Sequence, residues 1–91
     1  MISVTNLISN TNIEVAVNRW GKDGNTDFFN IETEKTETWD RSDERGFVMS
    51  LKIDSTQKSY FVLHNSVIVV TRNKGLLTVK DKGVPIKPCR S

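Results

Sequence analysis

The sequence predicts an all-β fold, a small antiparallel β-sandwich of about seven to eight short strands with no significant helix. Apolar and polar residues alternate with period two along several segments, a pattern typical of strands that bury one face. Clusters of Gly, Asn, Asp and Ser separate these segments at intervals of about ten residues, the spacing typical of short strands joined by turns.

The first strand is predicted at residues 2–6 and the second at 13–20, with the turn residues 9–12 between them. We therefore expect these two strands to pair as a hairpin. The remaining strands are predicted at 26–31, 35–39, 47–53, 58–63, 67–72 and 76–80. The alternation predicts a core formed by Ile2, Val4, Ile13, Val15, Val17, Phe29, Phe47, Met49, Leu51, Ile53, Val62, Val67, Val69, Leu77 and Val79.

The length of 91 residues predicts a single domain over 1–91. Residues 81–91 are expected to be a basic C-terminal tail, because Pro85 and Pro88 cannot donate hydrogen bonds to a sheet. The chain has one cysteine, Cys89, and its N-terminus lacks the features of a signal peptide. These features predict a cytoplasmic protein, with unconventional release as the alternative.

The charge is unevenly distributed along the chain. Residues 1–71 carry seven Lys and Arg and ten Asp and Glu, whereas residues 72–91 carry six Lys and Arg and one Asp. A basic segment can meet phosphate or an anionic membrane. Because no aromatic residues alternate with these lysines, as stacking on single strands would require, nucleic acid is not an expected partner.

No catalytic residue, cofactor or metal site is predicted, and we expect the protein not to be an enzyme. The single histidine and the single cysteine are too few for a zinc site. The alternating oxygens of Asp23, Asn25 and Asp27 are a weak candidate for calcium binding. Phe28 stands where a calcium-binding loop of the helix–loop–helix type needs glycine, which argues against this site.

A ligand site is predicted where two tryptophans meet charged residues. Trp20 and Trp39 each end a predicted strand, and the charged segment 40–45 follows Trp39. An indole face can stack on the apolar face of a sugar ring, while carboxylates and guanidinium groups bind its hydroxyls. The predicted ligand-binding residues are Trp20, Trp39, Asp40, Arg41, Asp43, Arg45 and Tyr60. In the structural alternative, both tryptophans fill the core and the charged residues pair with one another.

These residues favour a non-catalytic recognition module that binds cell-surface glycans or glycolipids, as lectins and hemagglutinins do. One shallow sugar site binds weakly, so we expect a homo-oligomer that gains avidity. A membrane surface is the second predicted partner, because tryptophan and tyrosine side chains suit the head-group region. A structural or protein-interaction domain is the third interpretation.

Two segments carry a family resemblance. The order ISVTN, NIEVAVNRWGKDG and KTETWDRSDERG, followed by an apolar strand, resembles the first half of the aegerolysins over residues 2–53. The shared features are a first hairpin, the Trp20-Gly21-Lys22 loop and the Arg41-Ser42-Asp43 turn. The resemblance implies a small, cysteine-poor β-sandwich that binds membrane lipids or acts as one component of a cytolysin, and it assigns no individual functional residue.

Overall fold

The computed structural model describes residues 1–20 and 26–89, and it is all-β, as predicted. Nine strands are present in this part of the chain. They are β1 (Ile2–Asn6), β2 (Ile13–Val17), β3 (Phe29–Ile31), β4 (Thr36–Trp39), β5 (Phe47–Ile53), β6 (Thr56–Val62), β7 (Val67–Asn73), β8 (Leu76–Asp81) and β9 (Val84–Ile86).

The strands form two sheets that face each other across one apolar core. The five-stranded sheet has the order β4-β1-β7-β8-β9, and the four-stranded sheet has the order β3-β2-β5-β6. Neighbouring strands are antiparallel except for β1 and β7, which are parallel. The predicted sandwich is confirmed, and the parallel pair is a departure from the purely antiparallel arrangement that the sequence predicted.

The predicted hairpin of the first two strands is wrong, because β1 and β2 belong to different sheets. Asn6, the last residue of β1, is fully buried and directs the chain out of its sheet. Its side-chain amide donates to the carbonyl oxygens of Thr11 and Ile31 at 2.7 and 2.9 Å, and its Oδ1 accepts from the amide of Ile8 at 2.9 Å. These bonds hold residues 7–12 as a crossing loop between the sheets.

The inner faces of both sheets supply the core, and most of its predicted members are buried. The prediction for β7 was wrong by one residue. Val67 is 46% exposed and Val69 is half-buried, while Ile68 and Val70 are fully buried. Residues 67–70 are all apolar, so their sequence does not show which alternate residues face the core. The pairing of Val4 with Ile68 in the parallel ladder decides it.

Part of the expected C-terminal tail is a strand. Val84–Ile86 form β9 at the edge of the larger sheet, and Pro85 lies opposite Lys80. A proline is tolerated there because an edge strand needs its hydrogen bonds on one side only. Lys82 and Gly83 turn the chain between β8 and β9 with positive φ angles of 50° and 83°, which suits a tight two-residue hairpin loop. The backbone amide of Cys89 then donates to the carbonyl of Ser59 on β6 at 2.7 Å, which links the edges of the two sheets.

Within the described residues, no helix is long and apolar enough to cross a membrane.

Candidate functional site

Both tryptophans lie at the same end of the sandwich. Val17, the last residue of β2, pairs with Met49 near the start of β5, so the chain after β2 emerges beside that start. Trp39 ends β4, and residues 40–46 lead from it to the first residue of β5, Phe47. The segment after β2, which contains Trp20, therefore meets the charged loop 40–46, as the sequence suggested.

Trp20 is held in a fixed orientation at this end and remains 39% exposed. Its indole Nε1 donates to the carbonyl of Gly46 at 2.8 Å. The guanidinium carbon of Arg45 lies 3.6 Å from the ring centroid, in the geometry of a cation–π contact. The ring is thus fixed through one edge and one face.

The stacked arginine is itself held by Asp43. Arg45 donates to both carboxylate oxygens of Asp43, from Nε at 3.0 Å and from a terminal guanidinium nitrogen at 2.7 Å. The backbone amide of Arg45 also donates to Asp43 Oδ1 at 2.8 Å. These hydrogen bonds from Arg45 lower the pKa of Asp43 from 3.8 to about 2, and the carboxylate in turn raises the pKa of Arg45. The expected pairing of these charged residues is present.

Arg41 anchors the two loops to each other. Its side chain is buried, and it donates from Nε to the carbonyl of Asn18 at 2.9 Å and from a terminal nitrogen to the carbonyl of Val17 at 3.0 Å. Burial lowers the pKa of Arg41, nearby Arg19 lowers it further, and Asp40 opposes the shift. The predicted ligand contact of Arg41 is therefore secondary to a structural role.

Asn18 fastens the same segment to the sheet. Its side-chain Oδ1 accepts from the backbone amide of Val48 at 2.8 Å, and its backbone amide donates to the carbonyl of Val48 at 3.2 Å. Together with Arg41, it sets the position of Trp20 relative to β5. A ligand that reached Trp20 would therefore meet a surface that is already ordered.

A shallow cleft of about 190 Å³ opens beside Trp20. Its walls are Trp20, Asp40, Arg41, Ser42, Asp43 and Phe47. It combines an aromatic ring, two carboxylates and a hydroxyl within one small concavity. Such a set of groups can bind a small ligand that has both an apolar face and hydroxyl groups.

Trp39 and Tyr60 do not belong to this cleft, and their predicted ligand contacts are wrong. Trp39 is 3% exposed and packs edge-to-face on Phe29, with ring centroids 5.8 Å apart. Ile2, which lies opposite Trp39 in the ladder, also faces the core. Among the described residues, the indole Nε1 of Trp39 meets no acceptor. Tyr60 is equally buried opposite Met49, and burial raises its pKa.

The calcium candidate cannot be assembled from the described part of the chain. Asp23 and Asn25 lie outside the described residues, and Asp27 is exposed. Residues 1–20 and 26–89 contain no group of three acidic, histidine or cysteine side chains that could hold a metal ion.

An apolar surface beside Trp20 was missed by the sequence analysis. Phe61 is 54% exposed, pairs with the exposed Val48, and packs so closely over Gly46 that a β-carbon there would collide with its ring. Leu63, two residues further along, is also exposed. Phe61 alternates with the buried Tyr60 and Val62, and this alternation was the signal available in the sequence.

Comparison of the chain with protein-family models, curated proteins and solved structures found no match. The resemblance to aegerolysins therefore stays a prediction.

Proposed function

We propose that this protein is a non-catalytic, lectin-like recognition module that binds a glycan in the cleft beside Trp20. One observation carries the proposal. The indole of Trp20 is fixed by Gly46 and Arg45, and its remaining surface forms one wall of a cleft whose other walls carry Asp40, Ser42 and Asp43.

The stacking partner in this proposal is the ring of Trp20. The apolar C–H face of a sugar packs on an indole, and a ring that is already immobile loses little side-chain entropy when the sugar binds. Arg45 covers one face of the ring, so the sugar contacts the part that lines the cleft.

Hydroxyl recognition falls to the carboxylates and to Ser42. The carboxylate of Asp43 stays ionised because Arg45 lowers its pKa to about 2, so it accepts hydrogen bonds at any physiological pH. An ionised carboxylate has about four acceptor positions, which leaves capacity for a hydroxyl donor beyond the bonds from Arg45. Asp40 and Ser42 are exposed at the rim and can accept or exchange bonds with neighbouring hydroxyls.

The test is a glycan array probed with the full chain, labelled with a maleimide dye at its single cysteine, Cys89, which is exposed. Binding to one class of sugar is expected, together with its loss in Trp20→Ala and partial retention in Trp20→Phe. The matched control is Leu76→Ala, because Leu76 is 72% exposed and lies at the other end of the sandwich. Capture of no glycan by the native chain, or equal binding by Trp20→Ala, would overturn the proposal.

The proposal includes the homo-oligomer and the cytoplasmic location expected from the sequence. A single shallow site of this kind binds weakly, and association of several copies raises the effective affinity for a surface covered with sugars. Sedimentation velocity of the native chain at several concentrations tests the oligomer, and cell fractionation tests the location. A monomer at all concentrations would remove the oligomer from the proposal without affecting the cleft.

A second candidate function is binding to a membrane surface, and the apolar surface beside Trp20 favours it. Trp20, Val48, Phe61 and Leu63 are all exposed at one end, and aromatic side chains with polar neighbours suit the head-group region. Co-sedimentation with phosphatidylcholine vesicles, with and without sphingomyelin, tests this function. Phe61→Ser would then lose binding that Leu76→Ala retains. Binding that requires anionic lipid and disappears with salt would instead indicate the basic segment after residue 71.

A further inference from the structure

A second polar cleft lies towards the other end of the sandwich, on the outer face of the four-stranded sheet. It has a volume of about 380 Å³, and its lining includes Asn10, Asn12, Glu14, Asn30, Lys52 and Asp54. Phe47 begins β5 at the Trp20 cleft, and Lys52 lies five residues further along the same strand. At about 3.3 Å per residue the two clefts are roughly 17 Å apart, so they are separate sites.

The register of the sheet brings the central polar residues of this cleft into one row. Glu14 on β2 lies opposite Asn30 on β3 and opposite Lys52 on β5. Residues that are directly opposite on neighbouring strands have β-carbons about 5 Å apart. An amide, a carboxylate and an ammonium group therefore stand side by side on the outer face of this sheet.

An aromatic ring borders this row. The ammonium group of Lys52 lies 4.0 Å from the ring centroid of Phe28, which is partly exposed. The arrangement repeats the chemistry of the first cleft, where Arg45 stacks on Trp20 beside Asp43. Near each cleft a cation thus contacts an aromatic ring with carboxylates close by, but Phe28 and Arg45 are outside the linings of the two clefts.

The loop that carries Asn10 and Asn12 is ordered by hydrogen bonds that are buried or part-buried. The side chain of Asn6 holds Thr11 and Ile8 from beneath. The hydroxyl of Thr33 donates to the carbonyl of Ile8 at 2.8 Å and accepts from the amide of Thr11 at 3.2 Å. Because the loop is fixed before any ligand arrives, its amide side chains can bind without a large entropic cost.

The lining favours a neutral ligand with several hydroxyl groups. Three asparagines offer both donors and acceptors, and sugar hydroxyls need both. The cleft has two carboxylates, Glu14 and Asp54, and one ammonium group, Lys52. Even with Arg72, which pairs with Asp54 at 3.0 Å, the positive charges do not exceed the negative ones, so a phosphate is not favoured. We infer that this cleft is a second carbohydrate-binding site, so that one copy of the chain carries two. The inference uses the ligand class of the proposed function but does not require the Trp20 cleft to bind.

Nuclear magnetic resonance of the ¹⁵N-labelled full chain tests the inference, because each cleft has its own reporter. The side-chain amides of Asn10, Asn12 and Asn30 report on this cleft, and the indole N–H of Trp20 reports on the other. The probes are the methyl glycosides of mannose, galactose, fucose and N-acetylglucosamine. Saturable shifts of the asparagine amides with at least one sugar are expected, and their absence with all four would overturn the inference.

Variants connect the shifts to the cleft. Asn30→Ala is expected to weaken this binding about tenfold, and Asn12→Ala is the second variant if the first fails to fold. Asn73→Ala, which removes an exposed amide at the end of β7, should leave it unchanged. Equal weakening by Asn73→Ala would overturn the inference.

The two proposals fail separately. Shifts of the asparagine amides with an unmoved Trp20 indole would support this site and contradict the first one. The reverse result would contradict this site alone. If both move, Trp20→Ala should leave the asparagine shifts in place, and Asn30→Ala should leave the shift of the Trp20 indole in place.

Discussion

The guanidinium group of Arg45 lies 3.6 Å above the ring of Trp20 while it holds both carboxylate oxygens of Asp43. Asp43 and Arg45 are only two residues apart, but Trp20 comes from a different loop. The stack therefore joins two segments that are distant in sequence at the end of the sandwich. It also fixes the one exposed tryptophan among the described residues.

The pairing of Asp43 with Arg45 predicts a loss of stability in acid. The folded pKa of Asp43, about 2, is below its ordinary value of 3.8, so the stabilisation is fully present above pH 3.8. It is lost as the pH falls through the interval from 3.8 to about 2. Urea unfolding of the native chain and of Asp43→Asn across this interval measures the effect. The variant should show a shallower decline, and parallel curves for the two proteins would contradict the pairing.

The two tryptophans should differ in their access to solvent. Trp20→Phe leaves Trp39, which is buried, so its fluorescence should be blue-shifted and weakly quenched by acrylamide. The native chain should show an additional, readily quenched component from Trp20. If the emission of Trp20→Phe is quenched as easily as that of the native chain, Trp39 is not in the core.

Gly46→Ala should destabilise the protein by about 1–3 kcal/mol. The φ angle of Gly46 is 91°, and a β-carbon would collide with the ring of Phe61. Urea denaturation measures the loss in this variant, in Phe61→Ala and in the double variant. The double variant should recover the part caused by the collision but not the backbone strain. Additive losses would show that the ring does not cover Gly46.

Asn6→Ala should destabilise the protein by at least about 2 kcal/mol, because two buried hydrogen bonds and one part-buried one lose their partner. Amide hydrogen exchange in residues 7–12 should also become faster, since the loop loses its internal support. The matched control is Asn73→Ala, which removes an exposed amide. Similar losses of unfolding free energy in the two variants would contradict the stabilising role of the Asn6 hydrogen bonds.

Two neighbouring residues on β7 test which of its faces points inward. Ile68→Ala should cost about 2–5 kcal/mol, because Ile68 is fully buried. Val67→Ala should change the free energy of unfolding by about 0.5 kcal/mol or less, because Val67 is exposed. Denaturant unfolding measures both free energies. A larger loss for Val67→Ala than for Ile68→Ala would show that Val67 faces the core, as the sequence predicted.

The sequence predicted the sandwich because most strands alternate clearly between apolar and polar residues. The strand β5 shows the principle, since Phe47, Met49 and Leu51 are all buried as expected. The phase of β7 could not be read, because Val67–Val70 offer an apolar side chain to either face. The sequence also did not predict that β1 pairs with β4 and β7. The turn residues after β1 suggested a hairpin, but the buried amide of Asn6 directs the chain into the other sheet.

The candidate site was partly predictable for similar reasons. The charged segment after Trp39 indicated a loop, and the pairing of Asp43 with Arg45 follows from their closeness in the chain. The burial of Trp39 did not follow from the pattern, because Thr36, Glu37 and Thr38 are polar on both faces of β4 and give no phase. The second cleft depends on the register between β2, β3 and β5, which a single sequence does not contain.

The bond from Cys89 to Ser59 has a consequence for assembly into fibrils. An uncovered edge strand is a template on which another chain can add its own strand. In the described part of the chain, the two sheets have four edge strands, β3, β4, β6 and β9. Cys89 donates to β6, and Pro85 in β9 has no backbone N–H with which to pair. Cleavage before residue 87 would therefore leave β1 to β9 in place, remove the contact at β6 and open one further edge to a strand from another chain.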